Sequence, residues 1–333
     1  MEMCSRVPTT VLPCLILCAV LGLLLGSVSV SVAHFHILLG AASDSVVVFP
    51  DQYLEAAVRT RIAKPTGDIT TEDMARLTYL ETQSLGLYII RNLTGLEYAT
   101  NLYHLGLFQH AVSDLSPLAG LTNLQELILH GNTPIADLSP LAGLTRLGYV
   151  DLQQDGISNI SGLAGLDRLP WLTLSFNQIS DLSPLAGLTG LLHLDLNWNL
   201  VSDLRPLAGL RNLGSLDLRG NQVSDLSPLG GLASLRGLYL AENQITDISA
   251  LVANCEAGGI GAGDEVELQD NLLDLSEGSK AMADIQTMIN RGASVTYMPQ
   301  RAEEVEEEAS LVTAAMVGFM AVAVAARPGK LTK

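Results

Sequence analysis

Three sets of residues in this chain are of types and spacings that could do chemistry. Histidines His104, His130 and His193 could hold a metal, but their spacing is not that of a zinc site, which favours surface imidazoles. Asp114, Asp137, Asp181, Asp203, Asp225 and Asp247 each precede Leu or Ile in a recurring step. That recurrence beside a turn predicts hydrogen bonds to the local backbone rather than a row of cation sites. The third set is aromatic: Tyr149, Trp171 and His193 at one register, and Phe176 and Trp198 at another. Both tryptophans of the protein fall in it. Asp151, Asp195 and Asp217 run alongside, with Thr173 between the first two. Neighbouring Asp195 and Asp217 would repel unless a cation or a basic partner sits there, although solvated charge is preferred to a calcium site. No nucleophile elbow, HExxH or phosphate loop is present, and GGIGAGD at 258–264 lacks the strand–helix context of a dinucleotide site. The expectation is a protein with no catalytic residues, no cofactor and no metal, in which the aromatic set binds a ligand. The competing reading is that cross-strand aromatic stacking only stabilises a sheet.

A repeat must position these residues. Units of the form LxxLxLxxN begin at Leu77, Leu102, Leu124, Leu147, Leu169, Leu191, Leu213 and Leu235, in steps of 25, 22, 23, 22, 22, 22 and 22 residues. Of 62 leucines, 46 lie between Leu77 and Leu251, so the apolar excess is a repeat core. The clearest unit, Leu169 to Gly190, reads LPWLTLSFNQISDLSPLAGLTG. Its fourth and sixth positions alternate inward as a short strand requires, leaving the third, fifth and eighth outward. The ninth position is Asn132, Asn177, Asn199, Asn221 and Asn243, with Asp155 in the fourth unit. A side-chain amide there both donates and accepts where the chain leaves the strand, which predicts a ladder through stacked units. Ser-Pro pairs such as Ser183-Pro184 suit an N-cap and a first helical position, and the following glycine a stop. One such coil cannot bury its leucines alone, so the product is a solenoid.

The phrase ISDLSPLAGLTNL and its variants resemble the bacterial leucine-rich repeats of internalin type. FPDQYLEAAVR and GDITTEDMARL are similar to that family's helical N-terminal cap, LTGLEYATNL to its longer first repeat, and LVANCEAGGIGAGDEVELQDNLL to the closing turn of bacterial secreted relatives. The resemblance spans about residues 48 to 300 and implies a curved parallel sheet that binds through its concave face. Leu85 and His110 depart from it, standing where the ladder asparagine belongs. Independently of it, Asp51 suits a cap for a helix over 52–63, and Thr70 with Asp73 a capping box. Val266 to Asn271 suits a last strand, and 280–290 a helix ended by Gly292.

The fold expected is therefore α/β: a leucine-rich-repeat solenoid with a curved parallel sheet, short helical turns on its convex side, a helical N-cap and a strand–helix C-cap. Residues 43–76 form the N-terminal cap, 77–251 eight repeats, and 252–300 the C-terminal cap. The ends carry membrane signals. Residues 1–42, apolar from Val11 to Ala33, read as a cleaved signal peptide or a retained N-terminal anchor. Residues 301–308 are an acidic linker, 309–326 an uncharged candidate transmembrane helix, and 327–333 a basic cytoplasmic tail. Either fate of the leader exports the body. Cys4, Cys14 and Cys18 lie in the leader, which leaves Cys255 alone and gives no disulfide framework.

Net charge is −17, and 77–251 contains no lysine, which excludes a phosphate-gripping nucleic-acid protein. The function expected is exported, membrane-tethered recognition or adhesion toward a protein or glycan, through Tyr149, Trp171, His193, Phe176, Trp198, Asp195 and Asp217. The alternatives are a structural envelope or surface spacer and an intracellular leucine-rich-repeat scaffold.

Overall fold

The computed structural model describes residues 44–84, 86 and 88–301. Outside them lie Leu85, the leader, residues 302–308 of the acidic linker, the candidate transmembrane segment and the basic tail. Among the described residues no helix is long and apolar enough to cross a membrane.

Ten strands form one parallel sheet in strict sequence order, a leucine-rich-repeat solenoid as the period requires. They are β1 Tyr79–Gln83, β2 His104–Phe108, β3 Glu126–Ile128, β4 Tyr149–Asp151, β5 Trp171–Thr173, β6 His193–Asp195, β7 Ser215–Asp217, β8 Gly237–Tyr239, β9 Glu265–Glu267 and β10 Ser294–Thr296. Equivalent repeat positions sit in register: Tyr149, Trp171 and His193 are side by side, as are Leu172 and Leu194. Each coil sends its spaced apolar residues inward. In the fifth, Leu169, Leu172, Leu174, Ile179, Leu182, Leu185 and Leu188 are all at most 2% exposed.

The ladder forms as expected. Asn199 Nδ2 donates to the Leu196 carbonyl at 3.0 Å and to the Leu174 carbonyl of the preceding coil at 2.9 Å. Its Oδ1 accepts the Ile179 amide at 3.0 Å. Asn177, Asn221, Asn243 and the later Asn271 repeat the pattern, so each amide stitches two coils. Asp155 breaks it. Fully buried, it accepts the Asn132 amide at 2.7 Å while its other oxygen has no partner. An ionised carboxyl cannot donate to the carbonyls an amide would serve, and burial lifts its pKa to about 8.

The turns differ from expectation in two respects. Serine is the first residue of each Ser-Pro-Leu 3-10 turn, not its cap, and the cap position is a leucine without a side-chain bond. The aspartate two residues earlier does the capping: Asp181 accepts the Ser183 amide at 2.8 Å and the Ser183 hydroxyl at 3.0 Å. The predicted turn role of the aspartate series is the one observed, because each carboxylate reaches forward to the amide two residues on, as in an Asx turn. Nor do the glycines of these turns, such as Gly187, adopt a left-handed stop; Ala186 before it stays helical.

At the N-terminal end Asp51 caps α1 (Gln52–Arg61), accepting the Tyr53 and Leu54 amides at 2.9 and 3.1 Å. The Thr70–Asp73 capping box opens α2 (Thr71–Ala75). The C-terminal end is richer than the sequence suggests. Ser249–Glu256 is a helix, α3, and a second helix, α4 (Lys280–Asn290), leads into β10. The last strand is thus Ser294–Thr296 and not the one at Val266. A three-residue strand with few apolar positions leaves almost no periodic signal. Lys280 Nζ joins α4 to the start of α3 at Asp247, 2.8 Å away, holding that carboxyl near 2.

Candidate functional site

The outward positions of the strands bring the predicted aromatic residues together. Trp171 stacks on His193 with ring centroids 3.7 Å apart and planes 24° from parallel, and Tyr149 lies 6.3 Å from Trp171 on its other side. Trp171 is 42% exposed, while Tyr149 and His193 are half-buried. Beside this row, in register, run Asp151, Thr173, Asp195 and Asp217.

The eighth-position pair is more constrained than the sequence indicates. Phe176 and Trp198 stack at 6.1 Å and both have left-handed backbones, with φ of 56° and 54°. Every eighth position in the second to eighth coils does so, and Gly131 and Gly220 fill two of them. Aromatic residues pay about 1–2 kcal/mol for that conformation, so these rings are held where glycine would sit more easily. Trp198 lies flat over Gly220: a Cβ built there would stand 2.7 Å from the indole ring. These rings therefore flank the Trp171 row and are half packed into the sheet.

The three aspartates differ in their partners. Asp217 is engaged by Arg219, whose Nε and Nη2 reach its oxygens at 3.0 and 2.5 Å, and Asn197 Nδ2 adds a bond at 3.3 Å. The repulsion expected between Asp195 and Asp217 is thus met internally, by a residue the sequence reading passed over. A signal existed, since residues two apart at the end of a strand share a face. Asp217 is 9% exposed and is committed to structure. Arg219 acts on Asp195, and His130 on Asp151, only from a longer distance, and neither aspartate forms an ion pair among the described residues. Each accepts one amide from its own turn, Gln153 and Asn197, both at 3.0 Å. Burial pushes both carboxyls up, and Asp195 reaches about 6.

At the N-terminal end of the same face a second cluster is closed on itself. His104, 5% exposed, stacks on Tyr79 at 4.1 Å, with Nδ1 2.6 Å from Glu126 and Nε2 3.4 Å from Glu81. The Arg61 guanidinium covers the far side of Tyr79 at 4.5 Å. His130 is half-buried and acts electrostatically on Asp151, and among the described residues no group of three or more His, Cys, Asp or Glu side chains could hold a metal.

Comparison with known proteins matches the geometry. A family model of leucine-rich repeats (two copies) covers residues 122–165 and 211–253. The crystal structure of internalin C2 from Listeria monocytogenes is 39% identical, covers 61% of this chain and 89% of its own, and superposes with a TM-score of 0.58. The functional domain of InlJ from the same organism, described as including a cysteine ladder, is 20% identical with a TM-score of 0.54. It covers 78% of this chain and 57% of its own. A leucine-rich-repeat protein of Leptospira interrogans is also 20% identical, with coverages of 68% and 62% and a TM-score of 0.53. The last two share the fold, and this chain spans less than two thirds of either. No curated protein sequence matches the chain.

Proposed function

We propose that this chain, which belongs to the bacterial internalin-type leucine-rich-repeat family, is an exported and membrane-tethered recognition protein that binds its partner through the outward face of β4–β6. Interaction or adhesion is the coarse role that the family and fold support; export, tethering and the binding residues are our reading. The observation that carries it is the Tyr149–Trp171–His193 row, in which a tryptophan 42% exposed is held between flanking rings. A rigid aromatic projecting from a sheet offers large contact area at small entropic loss. A protein is favoured over a glycan. His193 stacks on one face of Trp171 and Tyr149 lies tilted 6.3 Å away on the other side, which narrows the open face that sugar stacking needs.

Cross-linking capture from the organism's extracellular fluid with the full chain and its Trp171→Ala variant tests the binding half. Partners lost from the variant, with an unchanged melting profile, support the reading; a partner set indifferent to Trp171 contradicts it. Fractionation tests export. Protease-accessible chain in the membrane fraction is expected, and soluble cytosolic chain with an intact Met1 contradicts it and favours the scaffold reading. A structural spacer has one observation in its favour, the stacking of Phe176 on Trp198 and the packing of Trp198 over Gly220. It predicts that changing those two residues weakens the fold and nothing else.

A further inference from the structure

The ten strands carry seven carboxylates and not one lysine or arginine. Five of the seven are partnered within the chain. Glu81 and Glu126 flank His104, Asp217 and Glu267 lie 2.5 and 3.7 Å from Arg219, and Glu265 accepts the Tyr239 hydroxyl at 3.1 Å. Asp151 and Asp195 remain. They occupy the same register on β4 and β6 with Thr173 between them, so two strand spacings, about 9.6 Å, separate their backbones. Each is half-buried, each accepts a single amide, and neither forms an ion pair. Directly beside them stands the Tyr149–Trp171–His193 row.

A half-buried carboxylate without an ion pair carries a desolvation penalty, which here one backbone amide each and the more distant His130 (for Asp151) and Arg219 (for Asp195) relieve only in part. Here two such groups adjoin the most exposed aromatic of the face. An arginine or lysine side chain answers both features, its alkyl stem lying along the ring edges while its charged head reaches a carboxylate. Resting on the binding face proposed above, we infer that the partner is a protein presenting a basic segment, whose arginine or lysine heads settle on Asp151 and Asp195 and whose stems pack along Trp171. The charge of the whole face works in the same direction, since an acidic surface draws in a basic partner and repels an acidic one. Arg219, bound to Asp217, closes the site on the β7 side and leaves β4–β6 as its acidic centre.

The test is selection from a phage-displayed library of random linear peptides on the immobilised full chain, with four variants in parallel: Trp171→Ala, Asp151→Asn with Asp195→Asn, Glu265→Gln, and Tyr149→Ala. Peptides enriched by the parent chain are expected to be rich in arginine or lysine and to bind the double aspartate variant about tenfold or more weakly. Their affinity should fall with added salt and survive Glu265→Gln, which removes a carboxylate outside the site. If enriched peptides depend on Trp171 or Tyr149 but carry no basic excess, the basic-partner inference is overturned while the binding face stands. Equal losses from Glu265→Gln and the double variant overturn it too, since diffuse acidity then explains the selection. If no enriched peptide depends on Trp171 or Tyr149, the binding face itself is wrong.

Discussion

Two stretches of one sheet face, β1–β3 and β4–β6, are built from the same kinds of residue and reach opposite states. In the first, His104 sits between Glu81 and Glu126, Tyr79 covers it, and Arg61 covers Tyr79. Both glutamates lie against the ring of a histidine that is 5% exposed. In the second, a tyrosine, a tryptophan and a histidine lie side by side, but the tryptophan is exposed and the two nearest carboxylates form no ion pair. Composition separates the two poorly. What separates them is whether the neighbouring coil supplies a side-chain partner for the carboxylate, as His104 does for Glu126. A face satisfied by its own chain serves the fold, and the proposed binding site lies where one is left unsatisfied beside an exposed aromatic.

The comparison can be broken or sharpened by substitution. The largest effect is expected beneath the second stretch, at Asp155. Its carboxyl titrates near 8 when folded against an ordinary value of 3.8, because of burial, so folding takes up a proton. The stability tied to that proton is fully present below about pH 4 and is lost as pH rises through about 8. Asp155→Asn restores the amide and should stabilise the chain by about 2–4 kcal/mol at pH 8, with little change at pH 4. Thermal melts at the two pH values check this, and an equal shift at both would show that the carboxyl is not the cause.

His104→Ala comes next. It removes a buried ring from between two carboxylates and should cost about 1–3 kcal/mol, with peptide or partner binding unchanged. Trp171→Ala should do the reverse, lowering stability by less than about 1 kcal/mol while weakening binding about tenfold or more. A double dissociation of this kind, read by melting and by binding, is what the contrast between the stretches requires. The smallest effect on the fold is expected from Asp195→Asn. Burial raises this carboxyl to about 6, so its ionised form is mildly unfavourable at neutral pH. After solvent screening, neutralising it should add at most about 1 kcal/mol at pH 8 and nothing near pH 4. Asp217 and Arg219 act on the same group, so the melt should be repeated in an Arg219→Gln background to separate their charges from burial.

How far these differences were legible in the sequence follows from the range of the signals. The repeat period, the inward leucines, the Asn199-type ladder and the caps at Asp51 and Thr70–Asp73 are written within one coil, and one coil is readable in one dimension. The aromatic row was legible too, because parallel register places equal repeat positions side by side. Arg219 on Asp217 and His104 between two glutamates depend on which rotamer meets which neighbour, and spacing does not encode that. The left-handed backbone of Phe176 and Trp198 had a faint trace, since Gly131 and Gly220 occupy the same position in other coils. β10 and α3 lie where the period stops, so the strongest signal in the chain fell silent there.

The central claim is that Trp171 lies inside the binding site. The measurement that tests it most directly is the emission of a Trp198→Phe chain, in which Trp171 is the sole tryptophan. Titration with a selected peptide or captured partner should shift its emission to the blue and protect it from acrylamide quenching, at the same concentrations that saturate binding. Saturation with Trp171 still fully quenched would contradict the claim.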